Sequence, residues 1–222
     1  MTFHILTLFP EMFESVFSQS ILKRAQSLKN LKVEIVNIRD FAGDKHKTVD
    51  DKPYGGGRGM VMKVDVLVKA LESIGGKPYS ILLSASGEKY TQKSARILAN
   101  KSQIAIICGH YEGTDARVEK FADKTYSVGD FILTGGEIAA MVIVDSTTRL
   151  IPKVINPESL KSESFAIKEG LLEFPQYTRP EEFRGLKVPK ILLSGNHREI
   201  EKWREIQAIK RTTKFRPNLF KN

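Results

Sequence analysis

Short apolar segments rich in β-branched residues alternate with helical patterns along the first 150 residues of the chain. The pattern predicts strands at Phe3–Phe9, Lys32–Ile38, Ser80–Ser84, Ile104–Cys108 and Thr125–Val128. It predicts helices at Glu11–Leu28, Asp65–Ser73, Thr91–Asn100, Asp115–Phe121 and Glu137–Leu150. Because strands separated by helices of this length form βαβ units, we expect an α/β fold with a mainly parallel sheet.

The chain changes character after the last of these helices. Five of its nine prolines lie between Pro152 and Pro189, and no long periodic segment occurs there. This composition predicts a connector or an extended lid. Asn196 is then a good N-cap for a helix that runs to about Lys210, so we expect a small helical module at the carboxyl end.

Positive charge is concentrated in that carboxyl-terminal module. The formal net charge is +9, and residues 185–222 hold 10 Lys and Arg against 3 Asp and Glu. Residues 1–184 are almost neutral, with 25 basic and 23 acidic side chains. The asymmetry favours a polyanionic partner, nucleic acid first, although a basic tail can also serve solubility alone.

Several protein classes are excluded by the composition. The single cysteine, Cys108, cannot form an internal disulfide or a zinc site of paired cysteines. The longest mostly apolar stretch, "FILTGGEIAAMVIV", contains Glu137 and is too short to cross a bilayer. The first residues lack the features of a signal peptide, so we expect a cytoplasmic protein without a membrane partner.

Glycine placement indicates a ligand pocket. Three predicted strands end in glycine-containing loops, "LLSASGEKY", "IICGHYEGTD" and "SVGDFILTGGE". Ligands in open α/β sheets bind beyond the carboxyl ends of the strands, so three such loops predict one pocket lined by backbone. Residues 1–30 contain no glycine and no P-loop motif occurs, which excludes the usual dinucleotide fingerprint and the P-loop hydrolases.

A second unusual segment is "RDFAGDKHKTVDDKPYGGGRGM" at residues 39–60. It combines aspartates, lysines and His46 with four glycines within Gly55–Gly59, and it is too long and too charged for a simple connector. We interpret it as a functional loop. The alternative is a flexible surface loop whose charges are solvated.

The ordered motifs resemble one family, the bacterial tRNA (guanine-N1)-methyltransferases of the TrmD type, which belong to the SPOUT class. The stretches that carry the resemblance run from one end of the chain to the other: "LTLFPEMF", "HKTVDDKPYGGG", "CGHYEG", "SVGDFILTGGE", "DSTTRLIP", "EGLLEFPQYTRP" and "VPKILLSGNHREIEKWR".

The resemblance implies a deep trefoil knot in the α/β fold, which no argument from residue patterns would propose. It implies an S-adenosylmethionine-binding domain at 1–157, a linker at 158–176 and a basic helical tRNA-binding domain at 177–222. It further implies a homodimer with shared active sites, magnesium as an assisting ion, and methylation of N1 of guanosine 37. The implied partner is the anticodon stem-loop of tRNA, not DNA.

Site residues follow from the resemblance, motif by motif. The cofactor would contact Ala85, Gly109, Tyr111, Glu112, Ser127, Val128, Gly129, Asp130, Phe131, Ile132, Leu133, Gly135 and Gly136. Among the substrate-binding residues, Asp50 with its neighbours His46, Tyr54 and Gly55 would line the guanine pocket. Arg58, which stands where the family usually has proline, would add a phosphate contact. The anticodon stem would be held through phosphates by Arg198, Lys202, Arg204, Lys210, Arg211, Lys214 and Arg216.

Two catalytic residues are expected. Guanine N1 carries a proton at neutral pH, so methylation needs a base near N1 and a positive group near O6. Arg149 matches the catalytic arginine of the family, although it could also complement the end of a helix. The base is expected at Glu163, where the family has an aspartate. Glu158 or another carboxylate as the base, and weak activity, are the alternatives.

Two other functions stay open on the sequence. One is a SPOUT methyltransferase with a different RNA target, which "HKTVDDKPYGGG" and "FPQYTRP" argue against. The other is an RNA-binding protein without catalytic activity, for which Glu163 is the only sequence feature in favour. Cys108, at the end of an apolar strand, is expected to be a small buried residue and not a nucleophile.

Overall fold

The computed structural model describes residues 1–166 and 170–221. The chain divides into two compact units, Met1–Ile155 and Asn156–Asn222. The division falls shortly before the predicted linker at 158–176, of which residues 167–169 lie outside the described residues. No described helix has the length and apolar character needed to span a membrane.

A parallel sheet forms the centre of the first unit. The strands of this unit, in chain order, are β1 (Thr2–Thr7), β2 (Lys32–Asn37), β3 (Asp50–Asp51), β4 (Val61–Met62), β5 (Tyr79–Lys89), β6 (Gln103–Ile107) and β7 (Lys124–Ser127). Five of these pair in the order β2-β1-β6-β5-β7, all parallel. The short strands β3 and β4 form a separate antiparallel pair. The expected α/β fold with a mainly parallel sheet is confirmed.

Helices cover both faces of this sheet. They are α1 (Glu14–Phe17), α2 (Ser20–Ser27), α3 (Val64–Glu72), α4 (Gln92–Leu98) and α5 (Glu137–Thr148). Short 3-10 turns lie at Pro10–Phe13, Ile38–Phe41 and Ala116–Lys120. Alternating residues of each strand serve opposite faces, as in β6, where Ile104 and Ile106 pack with α4 and α5 while Ala105 and Ile107 pack with α3.

The structure corrects two of the predicted helices. The segment Glu11–Leu28 is not one helix, because Gln19 is extended and Ser20 has a positive φ of 50°, which separates α1 from α2. The segment Asp115–Phe121 is a 3-10 turn whose first backbone N–H groups include one bonded to the Asp115 carboxylate. A 3-10 turn and two short helices replace the first predicted helix, and a 3-10 turn replaces the second. Hydrophobic periodicity alone does not distinguish these short elements from a continuous helix.

The second unit is built on one long helix. Its elements are α6 (Pro157–Ser162), the hairpin strands β8 (Glu182–Phe183) and β9 (Leu186–Lys187), α7 (His197–Phe215), and 3-10 turns at Lys190–Leu193 and Pro217–Lys221. The Asn196 side chain caps α7, as predicted, and the helix runs beyond Lys210. Buried Thr212 holds the segment after residue 170 against α7, since its hydroxyl accepts a hydrogen bond from Leu172 N (2.9 Å).

One buried histidine links the first two strands. His4 of β1 lies beside Glu34 of β2, with Nδ1 2.8 Å from Oε2. Burial lowers the pKa of His4 below 6.5 and the charge of Lys32 adds to this effect, although the Glu34 carboxylate opposes it. The folded protein therefore disfavours the charged imidazole.

Acidification through pH 6.5 is expected to destabilise the protein through His4. The unfolded chain takes up a proton that the folded chain resists, so stability is complete above that pH and falls below it. Thermal melts at about pH 7.5 and about pH 5.5 should show this loss in the natural protein and a smaller loss in His4→Gln. The exposed His46→Gln variant is the matched control. An unchanged loss in His4→Gln would show that another group is responsible.

Candidate active site

A pocket lies beyond the carboxyl ends of β6 and β7, next to the bend in β5. The bend follows from a shift in the pairing of β5 with β7 between Leu83 and Glu88. The pocket is lined by Leu83, Ser84, Ala85, residues 109–114, residues 126–129, residues 131–136 and Ala139. The three glycine-containing loops predicted to share one pocket therefore do so.

The loop after β7 contributes more lining residues than either of the other two loops. From β7, at the sheet edge, it passes the end of β5 and reaches the end of β6, where Gly136 N donates to Gly109 O (2.8 Å). A side chain at Gly136 could not be accommodated, since its Cβ would lie 2.8 Å from the Cα of Cys108 and 3.0 Å from Gly109 N. At the start of the loop, the Ser127 hydroxyl donates to Gly129 O (3.0 Å).

The structure brings nearly all of the expected cofactor residues together. Ala85, Gly109, Tyr111, Glu112, Ser127, Val128, Gly129, Phe131, Ile132, Leu133, Gly135 and Gly136 all line this pocket. Asp130 is the exception. Its side chain is 92% exposed and pairs with Lys89 Nζ at 3.4 Å, so it does not line the pocket.

Several lining residues were not among the expected ones. They are Leu83, Ser84, His110, Gly113, Thr114, Tyr126, Thr134 and Ala139. Most of them are chain neighbours of expected residues, and His110 and Gly113 belong to the quoted motif "CGHYEG". The motif is thus the signal that could have identified His110.

The 39–60 loop meets the pocket at Glu112. Glu112 N donates to Met60 O (3.0 Å), and the Glu112 side chain occupies the place of a Cβ on Gly59, whose φ of 79° also favours glycine. At the other end of the loop, the Asp44 carboxylate accepts hydrogen bonds from residues 46 and 48 and so fixes the backbone there. Its pKa is lowered by hydrogen bonds from the Thr48 hydroxyl, Thr48 N and His46 N.

The expected substrate-binding residues at 46–58 lie along this loop. His46, Tyr54, Gly55 and Arg58 are exposed, and the Tyr54 side chain is entirely so. Asp50 is partly buried and belongs to β3, where it pairs with Met62 of β4. The loop therefore presents its side chains to solvent beside the pocket and does not form the pocket wall.

The two expected catalytic residues do not line the pocket. Arg149 is the C-cap of α5, so it lies 10 residues or about 15 Å along the helix from Ala139, the last residue of α5 that lines the pocket. Glu163 belongs to the second unit, where it follows α6 and its carbonyl accepts a hydrogen bond from Ala166 N (3.1 Å). Both side chains are partly buried.

Basic side chains on α7 fall into two groups. In the first half of the helix, Lys202 pairs with Glu199 (2.8 Å) and Arg204 pairs with Glu201 (2.5 Å). Among the described residues, Lys210, Arg211 and Lys214 have no carboxylate partner, and the last two lie over the Phe215 ring. The positive field of the helix is therefore strongest in its second half, which Arg216 follows.

Neither a metal cluster nor a reactive thiol is present in the part of the chain that the structure describes. Among residues 1–166 and 170–221, no three His, Cys, Asp or Glu side chains are grouped to hold a metal ion. Cys108 is buried, and both burial and the nearby Glu137 charge raise its pKa well above 9.0. Its thiol therefore stays protonated near neutral pH.

An open parallel sheet with a glycine-rich, backbone-lined pocket beyond its strand ends defines an α/β protein that binds a small ligand at that edge. The family model of tRNA (guanine-1)-methyltransferase TrmD matches residues 1–222, and the chain belongs to this family of enzymes.

Similar curated proteins carry the same activity in their names. A tRNA (guanine-N(1)-)-methyltransferase of Caldanaerobacter subterraneus subsp. tengcongensis is 55% identical over 225 residues, covering 100% of this chain and 92% of the relative. That of Geobacillus kaustophilus is 53% identical, over 99% of this chain and 91% of the relative. That of Mesomycoplasma hyopneumoniae is 52% identical, over 99% and 96%.

A methyl group added at Gly136 is expected to destabilise the protein. Gly136→Ala forces the Cβ against backbone atoms of Cys108 and Gly109, a strain of about 1–3 kcal/mol. Chemical denaturation should show this loss in the free energy of unfolding. Gly43→Ala, which meets no atom within 4 Å, is the matched control and should stay near the natural value. Equal stability of the two variants would contradict the close backbone contact.

Proposed function

We propose that this chain transfers a methyl group from S-adenosylmethionine to N1 of guanosine 37 in tRNA. The observation that carries the proposal is the match of the family model to the whole chain, together with the meeting of the three motif loops in one pocket. The proposed place of action is the cytoplasm.

The pocket suits an adenosyl ligand. Its walls combine backbone groups at 84–85, 109–113, 128–129 and 131–136 with apolar side chains such as Val128, Ile132 and Leu133. Backbone N–H and C=O groups can bond the edges of a flat base, while the apolar side chains cover its faces. When bound, S-adenosylmethionine supplies an electrophilic methyl group on a sulfonium centre.

Glu163 and Arg149 are proposed to prepare the guanine. The Glu163 carboxylate takes the proton from N1, and the Arg149 guanidinium stabilises the negative charge that then develops on O6. A glutamate can accept this proton as an aspartate does. Its extra methylene moves the carboxylate by about 1 Å, a displacement that matters when rate depends on orientation.

Two copies of the chain are proposed to share each active site. Arg149 lies about 15 Å along α5 from Ala139 in the pocket of its own protomer, which supports the idea that it serves the pocket of the other. The start of α5 also exposes Ile138 and Val142, one turn apart, and Met12 of the neighbouring 3-10 turn is 42% exposed. A second copy would cover this apolar surface.

A trefoil knot is proposed for the first unit. The support is the path of the chain after β7, which passes the end of β5 before it joins the end of β6 through Gly136 and Gly109. We further propose the domain limits 1–157 and 177–222 with the linker 158–176 between them. A requirement for magnesium stays a prediction, and no residue is assigned to it.

The second half of α7 is proposed to hold the anticodon stem of tRNA. Lys210, Arg211, Lys214 and Arg216 would contact phosphates, and Arg198 would add a contact at the start of the helix. Lys202 has an acidic partner at 2.8 Å, so its contribution to the field around the helix is smaller.

Transfer of labelled methyl groups to tRNA transcripts tests the proposed reaction. The natural protein should methylate a transcript with guanosine at position 37 and not one with adenosine there. Glu163→Gln and Arg149→Ala should each lower kcat by about 100-fold or more, because each removes a group needed for the proton transfer or the charge on O6. S-adenosylhomocysteine binding should persist in both variants.

Glu158→Gln is the control for the base, since Glu158 is the alternative carboxylate and lies in the first turn of α6, the helix that Glu163 follows. Full activity in Glu163→Gln with loss in Glu158→Gln would transfer the role to Glu158. Equal rates on the two transcripts would overturn guanine specificity, and binding without any transfer would favour an RNA-binding protein.

Removal of positive charge from α7 should weaken tRNA binding according to position. The double variant Lys210→Ala/Arg211→Ala should lower tRNA affinity and reduce the slope of log affinity against log salt by about 1 for each lost phosphate contact. Lys202→Ala is expected to have a smaller effect because of its pairing with Glu199. Binding titrations over a salt series measure both. A larger effect from Lys202→Ala would contradict the assignment.

A further inference from the structure

A buried carboxylate lies behind the pocket wall and has no role in the proposed mechanism. Glu137 is the first residue of α5 and only 2% exposed. Its Oε1 accepts a hydrogen bond from the hydroxyl of buried Thr7 (2.8 Å), at the end of β1. A buried carboxylate is costly unless its oxygens are hydrogen-bonded, and Thr7 satisfies one of the two.

The second oxygen of the Glu137 carboxylate, Oε2, and the pocket-lining His110 both lie next to Gly135. A Cβ built on Gly135 would strike Glu137 Oε2 and would lie 2.6 Å from Nδ1 of His110. Both atoms therefore lie beside the bare Cα of Gly135. The backbones of His110 and Gly135 also form an antiparallel bridge, which holds the histidine next to this glycine.

The His110 ring is fixed by its surroundings, but one of its nitrogens is not satisfied. The ring packs between Phe9 (centroids 4.9 Å apart) and Tyr111 (5.0 Å). Its Nδ1 is buried and has no hydrogen-bond partner among the described residues. In proteins, the hydrogen bond made by one imidazole nitrogen decides which nitrogen carries the proton.

We propose that Glu137 is a positioning residue that fixes the tautomer of His110. Nδ1 carries the proton and directs it at Glu137 Oε2, which leaves Nε2 as an acceptor for a hydroxyl or amino group of the ligand in the pocket. Hydrogen bonds of this kind are often long before the ligand binds and shorten in the complex. The identity of the ligand rests on the proposed function, whereas the tautomer does not.

A purely structural role for Glu137 makes a different prediction. A carboxylate at the first turn of a helix also stabilises the helix through its dipole. That role would affect the stability of α5 and would leave the tautomer of His110 and the acceptor at Nε2 unchanged. The two roles are therefore separated by a measurement on the imidazole itself.

The direct test is a long-range 1H–15N spectrum of the full chain labelled at its four histidines. His4→Gln, His46→Gln and His197→Gln assign the other three rings, so the natural His110 ring is the one observed. We expect the Nδ1-protonated form in the ligand-free protein and in the complex with S-adenosylhomocysteine. Protonation at Nε2 in the natural protein would overturn the proposal.

Ligand binding measured by calorimetry tests the consequence for the pocket. Glu137→Gln should weaken S-adenosylhomocysteine binding about tenfold, as expected for the loss of one charge-assisted hydrogen bond, while exposed Glu119→Gln should not. His110→Asn places its amide only near Nδ1 and should also lose about tenfold. His110→Gln reaches the place of Nε2 and should stay within about threefold.

Equal losses in His110→Asn and His110→Gln would contradict the acceptor role of Nε2. An unchanged affinity and an unchanged imidazole spectrum in Glu137→Gln would contradict the role of Glu137. If Glu137→Gln does not fold, the spectrum of the natural protein still decides the tautomer. Failure of the natural protein to bind S-adenosylhomocysteine would instead count against the proposed function.

Discussion

The close approach of Gly136 to the end of β6 is the contact on which the pocket depends. It joins the loop after β7 to the loop after β6, through a hydrogen bond from Gly136 N to Gly109 O at 2.8 Å. The same contact sets the start of α5 and so the position of Glu137 beneath the wall. Since no side chain fits at Gly136, the pocket geometry is fixed by backbone atoms.

The residues proposed for the chemistry are not among those that line the pocket. The pocket belongs to the first unit, while Glu163 and the basic side chains of α7 belong to the second. Arg149 lies at the far end of the helix whose first residue touches the pocket region. The proposed sharing of each site between two copies accounts for an arginine at this distance from the pocket of its own chain, and the exposed apolar residues Ile138 and Val142 suit such an interface.

The sequence predicted the parallel sheet and the pocket because both leave a local pattern: apolar strands at regular intervals, and glycines where backbone approaches backbone. It did not predict that Asp130 points to solvent, since consecutive loop residues face different directions. The sequence did not predict the burial of Glu137 either, because an acidic residue at the start of a helix ordinarily faces water. The break at Ser20 depends on a single backbone φ that hydrophobic periodicity does not record.

Mixed dimers test the sharing of the active site most directly. One chain would carry Gly136→Ala to damage the pocket and the other Arg149→Ala, each inactive or strongly impaired alone, and the two would be unfolded together and refolded. Shared sites predict recovered methyl transfer to tRNA, because each mixed dimer then holds one site with an intact pocket and an intact arginine. A site completed within one chain predicts no recovery at all, and that result would contradict the account.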